Sequence, residues 1–145
     1  MTGFNHVLVG LTIAVVTREP ILAPVAALLS HFVLDALPHF GDDRIILWER
    51  EFMRLIVLDA VLCFLALGLG LLLFPQLWWL LMLCAFAATL PDWLWPLHLR
   101  YNLQHPFFDI HAKIQWGERP WGLWVEIPFA CVLVALLVGM SGQIK

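Results

Sequence analysis

Apolar residues along this chain fall into five long blocks, near residues 4–17, 20–38, 53–74, 77–96 and 121–141. Blocks two to five each approach the roughly 20 residues that an α-helix needs to cross a bilayer core. The pattern predicts an all-α, polytopic membrane helix bundle of about five transmembrane helices, forming a single integral membrane domain over residues 1–145. The first block is short, which implies a tilted helix, a re-entrant path, or shielding by neighbouring helices. "TREP" (residues 17–20) reads as a tight turn in which Pro20 suits the opening of the next helix, and "FPQ" (residues 74–76) as a second turn. Two longer polar segments remain, "FGDDRIILWEREFMR" and "HLRYNLQHPFFDIHAKIQWGERP". Within the second, "DIHAKIQW" reads as a short helix lying on the membrane face.

Composition sharpens this picture. Of the 145 residues 62% are hydrophobic and 13% charged, about half the charged share of soluble domains. The net charge of −3 and the lack of a basic run argue against nucleic acid as a partner. "MTGFNHVLVGLTIAVV" has no basic region ahead of its apolar stretch and no small-residue cleavage site, so it reads as a retained helix. Cys63, Cys84 and Cys131 sit in three different apolar blocks, as packing residues would, without a CxxC motif.

Charge also sets an expected orientation. With five spans, Arg44, Arg50, Arg54, Arg100, Lys113 and Arg119 share one side, while Arg18 and Lys145 occupy the other. The positive-inside rule then places the N-terminus and both long loops in the cytoplasm and the C-terminus outside, in a prokaryotic inner membrane. Trp48, Trp78, Trp79, Trp93, Trp95, Trp116, Trp121 and Trp124 cluster near expected helix ends, like an interfacial aromatic belt.

The candidate chemistry lies on the same cytoplasmic side. "SHFVLDALPHF" (residues 30–40) sets His31, Asp35 and His39 at four-residue intervals, within an arc of roughly 80° on a helix. His6, Asp59, Asp92 and Glu126 fall at comparable depth on the other blocks, and His105, Asp109 and His111 in the last cytoplasmic loop. A carboxylate at bilayer depth costs on the order of 3 kcal/mol, so such groups face a polar interior. Carboxylates and imidazoles gathered without matching Lys or Arg call for another positive charge. A divalent metal supplies it, and His with Asp is a ligand set for zinc, with manganese an alternative.

Each residue also has a plainer reading. His31 or His39 alone reads as an interhelical hydrogen-bonding residue, and Asp35 alone as a partner of Arg54. Asp92 after Pro91 reads equally well as a cap at a helix interruption, Glu126 as a residue snorkelling to the interface, and His98 and Asp109 as solvated groups. Pro38 should kink or end the helix and turn His39 off the stripe.

"NHVLVG" followed by "ALLSHFVLDALPHF", together with the "LPD" of the fourth block, resembles the small membrane-bound metal-dependent hydrolases described as LexA-binding and inner-membrane-associated. "HFVLDALPHF" is also similar to a ligand-bearing helix of the zinc-dependent phospholipase C and nuclease superfamily, in which a multinuclear zinc site activates water for phosphodiester cleavage. The resemblance covers mainly the first 40 residues. It implies His6, His31, Asp35 and His39 as ligands and matches Asp92 to the Asp of a Pro-Asp element. The chain differs in continuing Pro91-Asp92 into Trp93-Leu94-Trp95, where those hydrolases carry a second Asp and a His.

The expected function is a membrane-embedded metal-dependent hydrolase acting on a phosphoester or ester of a lipid, such as a phospholipid, at the cytoplasmic leaflet. His31, Asp35 and His39 are the expected core ligands, with His6 and Asp92 completing the set. Asp59 is the expected general base, and His111 closes over the site. The alternative is a non-enzymatic membrane protein whose His/Asp cluster holds a structural metal or carries a metal ion or proton. A pathway needs polar groups on both faces, and the outer half is dry. Haem ligated by His6 and His39 is a weaker option. Membrane lipid is the expected partner, and a second copy or a small protein partner is left open.

Overall fold

The computed structural model describes residues 1–42, 45 and 48–142. Arg44 and Lys145, which entered the charge count, lie outside them. The described chain folds into α1 (Gly3–Thr17), α2 (Leu22–Asp35), β1 (His39–Phe40), α3 (Arg50–Leu73), α4 (Trp78–Tyr101), α5 (Pro106–Ile114), β2 (Glu118–Arg119) and α6 (Leu123–Ser141). Single 3₁₀ turns at Pro75–Leu77 and Gln115–Gly117 precede α4 and follow α5.

Three helices are long and apolar enough to cross a membrane: Arg50–Leu73, the continuous Pro75–Tyr101 and Leu123–Ser141. The other two apolar helices are shorter. At 15 and 14 residues, α1 and α2 rise only about 22 and 21 Å, less than a ~30 Å hydrocarbon core. The expected five long spans thus become three long helices and two short ones. The short first helix is shielded: α1 packs against α2, α3, α4 and α6, at the centre of the bundle.

Side-chain size sorts as membrane bundles require. Ala23, Ala27, Ala66, Ala85, Ala88 and Ala130 are buried, whereas Val57, Phe64, Leu65, Leu72, Phe86, Ile127 and Val132 face outward. Against lipid, large apolar side chains gain nothing by turning inward, and small ones let backbones approach. Gly10 shows this most sharply: a Cβ there would lie 2.7 Å from the Cys84 carbonyl oxygen, so α1 and α4 cross where only hydrogen fits.

Direction follows from the pairings. His6 faces Asp92 and Gly10 faces Cys84, so α1 and α4 run antiparallel. Asp59 meets Gly3, and Gly70 meets Leu11, so α1 and α3 run parallel. One end of the bundle therefore collects the start of α1, the end of α2, the first half of α3, the second half of α4 and the start of α6. The N-terminus of α1 lies beneath two carboxylates there. Asp59 accepts from Gly3 N (2.9 Å) and Phe4 N (3.0 Å), while Glu126 accepts from Thr2 N (3.0 Å) and Asn5 Nδ2 (2.9 Å). The amides at a helix start lack internal partners and carry the positive end of its dipole, so acceptors from α3 and α6 pin it in place.

Local breaks match their causes. α2 stops at Asp35, three residues before Pro38, whose missing amide and bulk disfavour helix at Leu37. The chain then pairs in parallel with the segment after α5, His39 with Glu118 and Phe40 with Arg119, a two-residue ladder in an otherwise helical fold. Gly122 permits the crossing, since a Cβ there would sit 2.0 Å from the His39 carbonyl carbon. Pro91 does not interrupt α4, which runs on through Asp92 and Pro96 to Tyr101. Asp92 is consequently mid-helix, and the reading of it as a helix cap is set aside.

Candidate metal centre

His31 and Asp35 are one turn apart on α2, and both are fully buried. The end of α2 delivers them to the polar end of the bundle, where α4 brings Asp92 and α5 brings His111. One donor atom from each of His31, Asp35, Asp92 and His111 lies within 4.8 Å of every other. His31 Nε2 is 3.0 Å from Asp35 Oδ2 and 3.1 Å from His111 Nε2, and His111 Nε2 is 3.3 Å from Asp35 Oδ2. Asp92 Oδ1 stands further off, at 3.6 Å from His31 and 3.8 Å from His111. Ligands at 2.0–2.1 Å around a tetrahedral ion are separated by about 3.3 Å, and these distances bracket that value.

The proton inventory points the same way. A carbonyl only accepts, so the 2.8 Å contact from His31 Nδ1 to Ala88 O makes Nδ1 the donor and turns Nε2 inward. Such an outer partner fixes the tautomer of a metal-binding imidazole. The Ala88 carbonyl lies beside the turn that Pro91 loosens by leaving the Ala87 carbonyl without its helical donor. A neutral His31 then presents a bare Nε2 to His111 Nε2 and to Asp35 Oδ2, a buried oxygen with no assigned donor. One proton satisfies one such pair. A single divalent cation satisfies all four donors together, which is what the donor set fits.

Aromatic rings wall the cluster. His6 stacks on His31 with centroids 4.1 Å apart, and Phe32, Phe107 and Trp95 approach the His111 ring. Phe108, buried on α5, stacks on His98 at 4.3 Å and seats that helix on α4. His98 is thereby half-buried, where sequence reasoning expected a solvated group, and Asp109 is exposed as expected. Of the four donors only Asp92 reaches the surface, with 37% of its side chain exposed.

Other expected site residues stand apart from this group or beside it. His6 is fully buried, with Nε2 3.1 Å from Asp35 Oδ1 and 3.9 Å from Asp92 Oδ2. His39 leaves the stripe: its Nδ1 donates to Leu37 O, and its Nε2 points toward Glu118 Oε1 at 3.8 Å. The break at Pro38 is the reason. Asp59 has both oxygens on the α1 amides, an anchoring position rather than one aimed at the four donors. His111, expected as a closing residue, lies among the donors themselves. Glu126 does not snorkel; it is 2% exposed and receives Thr2, Asn5 and Phe40. Asn5 and Thr2 are the polar residues that sequence reasoning passed over, and their i, i+3 spacing beside His6 is the signal that was available.

The α-ammonium of Met1 also enters this region, 2.6 Å from Asp35 Oδ1. Asp35 is thus bordered by three imidazoles and a cation. No family model, curated protein or solved structure matches the chain, so its geometry stands on its own.

Proposed function

We propose that this protein is a membrane-embedded metal-dependent hydrolase that cleaves a phosphoester or ester bond of a lipid at the cytoplasmic leaflet. The observation that carries the reading is the set of four convergent donors from α2, α4 and α5, three of them buried. Zinc is the proposed ion, given imidazole and carboxylate donors at tetrahedral spacing. When bound, such an ion lowers the pKa of a coordinated water and polarises a phosphoryl or carbonyl oxygen.

The chain's own residues divide the remaining work. His31, Asp35 and His111 form the tight face of the group, and Ala88 O holds the His31 ring in its binding tautomer. Asp92, with its longer contacts and partial exposure, lines the entry. Three close ligands and one loose position is the pattern of catalytic rather than structural zinc sites. Phe32, Trp95 and Phe107 keep water from the far side of His111. In this reading Asp59 steadies α1.

The membrane setting belongs to the same proposal. The two short helices complete five crossings, with the polar end and its basic residues in the cytoplasm of a prokaryotic inner membrane. α5 lies along the interface and brings His111 to the level of lipid head groups. The resemblance of the first 40 residues to membrane-bound metal-dependent hydrolases supports this reading. A structural metal is the second reading, favoured by the fact that the four donors suffice to close a tetrahedral shell.

The test is elemental analysis of detergent-purified protein, followed by a hydrolysis screen against labelled phospholipids. Stoichiometric zinc or manganese with lipid turnover that His31→Ala abolishes is the expected result. A wild type that retains no transition metal after supplementation overturns the proposal. Retained metal without any hydrolysis favours the structural reading.

A further inference from the structure

Both carboxylates of the cluster are used from both sides, and they are used in the same sense. Asp35 turns Oδ2 toward His31 and His111, and Oδ1 toward His6 at 3.1 Å. Asp92 turns Oδ1 toward His31 and His111, and Oδ2 toward His6 at 3.9 Å. His6 and His31 stack face to face, 4.1 Å apart and 20° from parallel, so their Nε2 atoms address adjacent places. Two carboxylates bridging side by side between opposed imidazoles is how proteins hold ions about 3.5–4 Å apart.

A second, independent observation marks the His6 side as a cation position. Asp35 Oδ1 is met there by the α-ammonium of Met1 at 2.6 Å, both groups being buried. The oxygen left over after the first group is satisfied therefore still draws a positive charge, and His6 faces it with a ring nitrogen. α1 can hold His6 at this place because Asp59 and Glu126 pin its first turn from two sides.

We infer that His6, Asp35 Oδ1 and Asp92 Oδ2 form a second divalent-cation position, with Asp35 and Asp92 bridging it to the His31/His111 position. The inference rests on the metal reading above and adds to it a site of different composition, with one imidazole and two shared carboxylates. Three protein donors leave that ion open on its remaining sides, where a phosphoryl or ester oxygen can bind across the pair. The oxygen-rich set favours manganese there more than the two-imidazole position does.

Manganese itself is the probe. Full-length protein in nanodiscs is stripped with chelator and reloaded with Mn²⁺; metal content and the electron paramagnetic resonance spectrum are then recorded together. Two ions per chain with a spin-coupled spectrum, its hyperfine spacing halved relative to an isolated ion, is the expected result. In His6→Ala the content should fall to one ion per chain, with an isolated-ion spectrum. One ion per chain in the wild type leaves the Met1 ammonium as the partner of Asp35 and overturns the second position while sparing the first. Two ions without coupling, or a coupled pair that persists in His6→Ala, overturns it equally. No bound ion overturns both readings. The wild-type spectrum decides the matter even if the variant folds poorly.

Discussion

His31 and His111 face each other through their Nε2 atoms at 3.1 Å, although 80 residues separate them in the chain. With His31 Nδ1 committed to the Ala88 carbonyl, two imidazole edges in a buried site are reconciled by a shared cation. Removing either ring should therefore remove the metal. We expect His31→Ala, His111→Ala and Asp35→Asn each to lower affinity by more than the roughly 10–100-fold that loss of an outer partner costs. Competition with a chromogenic chelator measures it. Because imidazoles bind only when unprotonated, affinity should also fall on acidification and recover on return to neutral pH. An affinity that stays flat with pH would count against both imidazoles as ligands.

His39→Ala supplies the contrast. The ring bonds to its own backbone at Leu37 and faces Glu118, so metal content should match the wild type. Stability should drop by about 1 kcal/mol, the usual worth of one buried hydrogen bond. Loss of metal from this variant, with the fold intact by size-exclusion chromatography, would restore the linear stripe of three ligands.

Asp59→Ala separates anchoring from proton transfer. The carboxylate accepts from Gly3 N and Phe4 N at the start of α1. Its loss should cost about 1–2 kcal/mol, as loss of a helix cap does, and lower the thermal midpoint while metal remains bound. A general base would behave oppositely, with an unchanged midpoint and lost turnover.

Gly10→Val should be among the most damaging apolar substitutions. Its Cβ would meet the Cys84 carbonyl oxygen at 2.7 Å and the Ala88 methyl at 3.1 Å, and neither the α4 backbone nor α1 has room to yield. Overpacking of this kind costs about 1–3 kcal/mol. Unfolding monitored by thiol labelling of buried Cys84 reads it directly.

Chelation should loosen α5. That helix is held by the buried Phe108 and by His111, and without a cation the Nε2 of His111 faces only other donors. EDTA should accelerate tryptic cleavage at the exposed Lys113 and Arg100, and zinc should reverse it. Cleavage rates indifferent to EDTA would show that α5 docks on apolar contacts alone.

Much of this architecture was legible along the chain. The apolar blocks anticipate all five bundle helices because burial in lipid needs long uninterrupted runs, and each run has its own turn residues. The end of α2 before Pro38 follows from the missing amide of proline and its steric bulk, both local properties. His31 and Asp35 were legible as a pair, since one helical turn is a matter of backbone geometry alone. The collection of ionisable groups at one end was likewise visible, because alternating helices return every second junction to the same side.

What tertiary structure decided is which members of that collection meet. His39 and His111 carry the same side chain, and no periodicity distinguishes them. Pro38 releases one into a two-residue ladder with Glu118, while the packing of Phe108 against His98 brings the other, from α5, to Asp35. Asp59 and Asp92 are both carboxylates at helix depth. Their fates differ because the rotation of α3 turns one to the amides of α1 and the rotation of α4 turns the other to His31. Helix rotation is set by the fit of Gly10, Ala88 and their neighbours across the bundle, a property of pairs of helices that no single stretch of sequence contains.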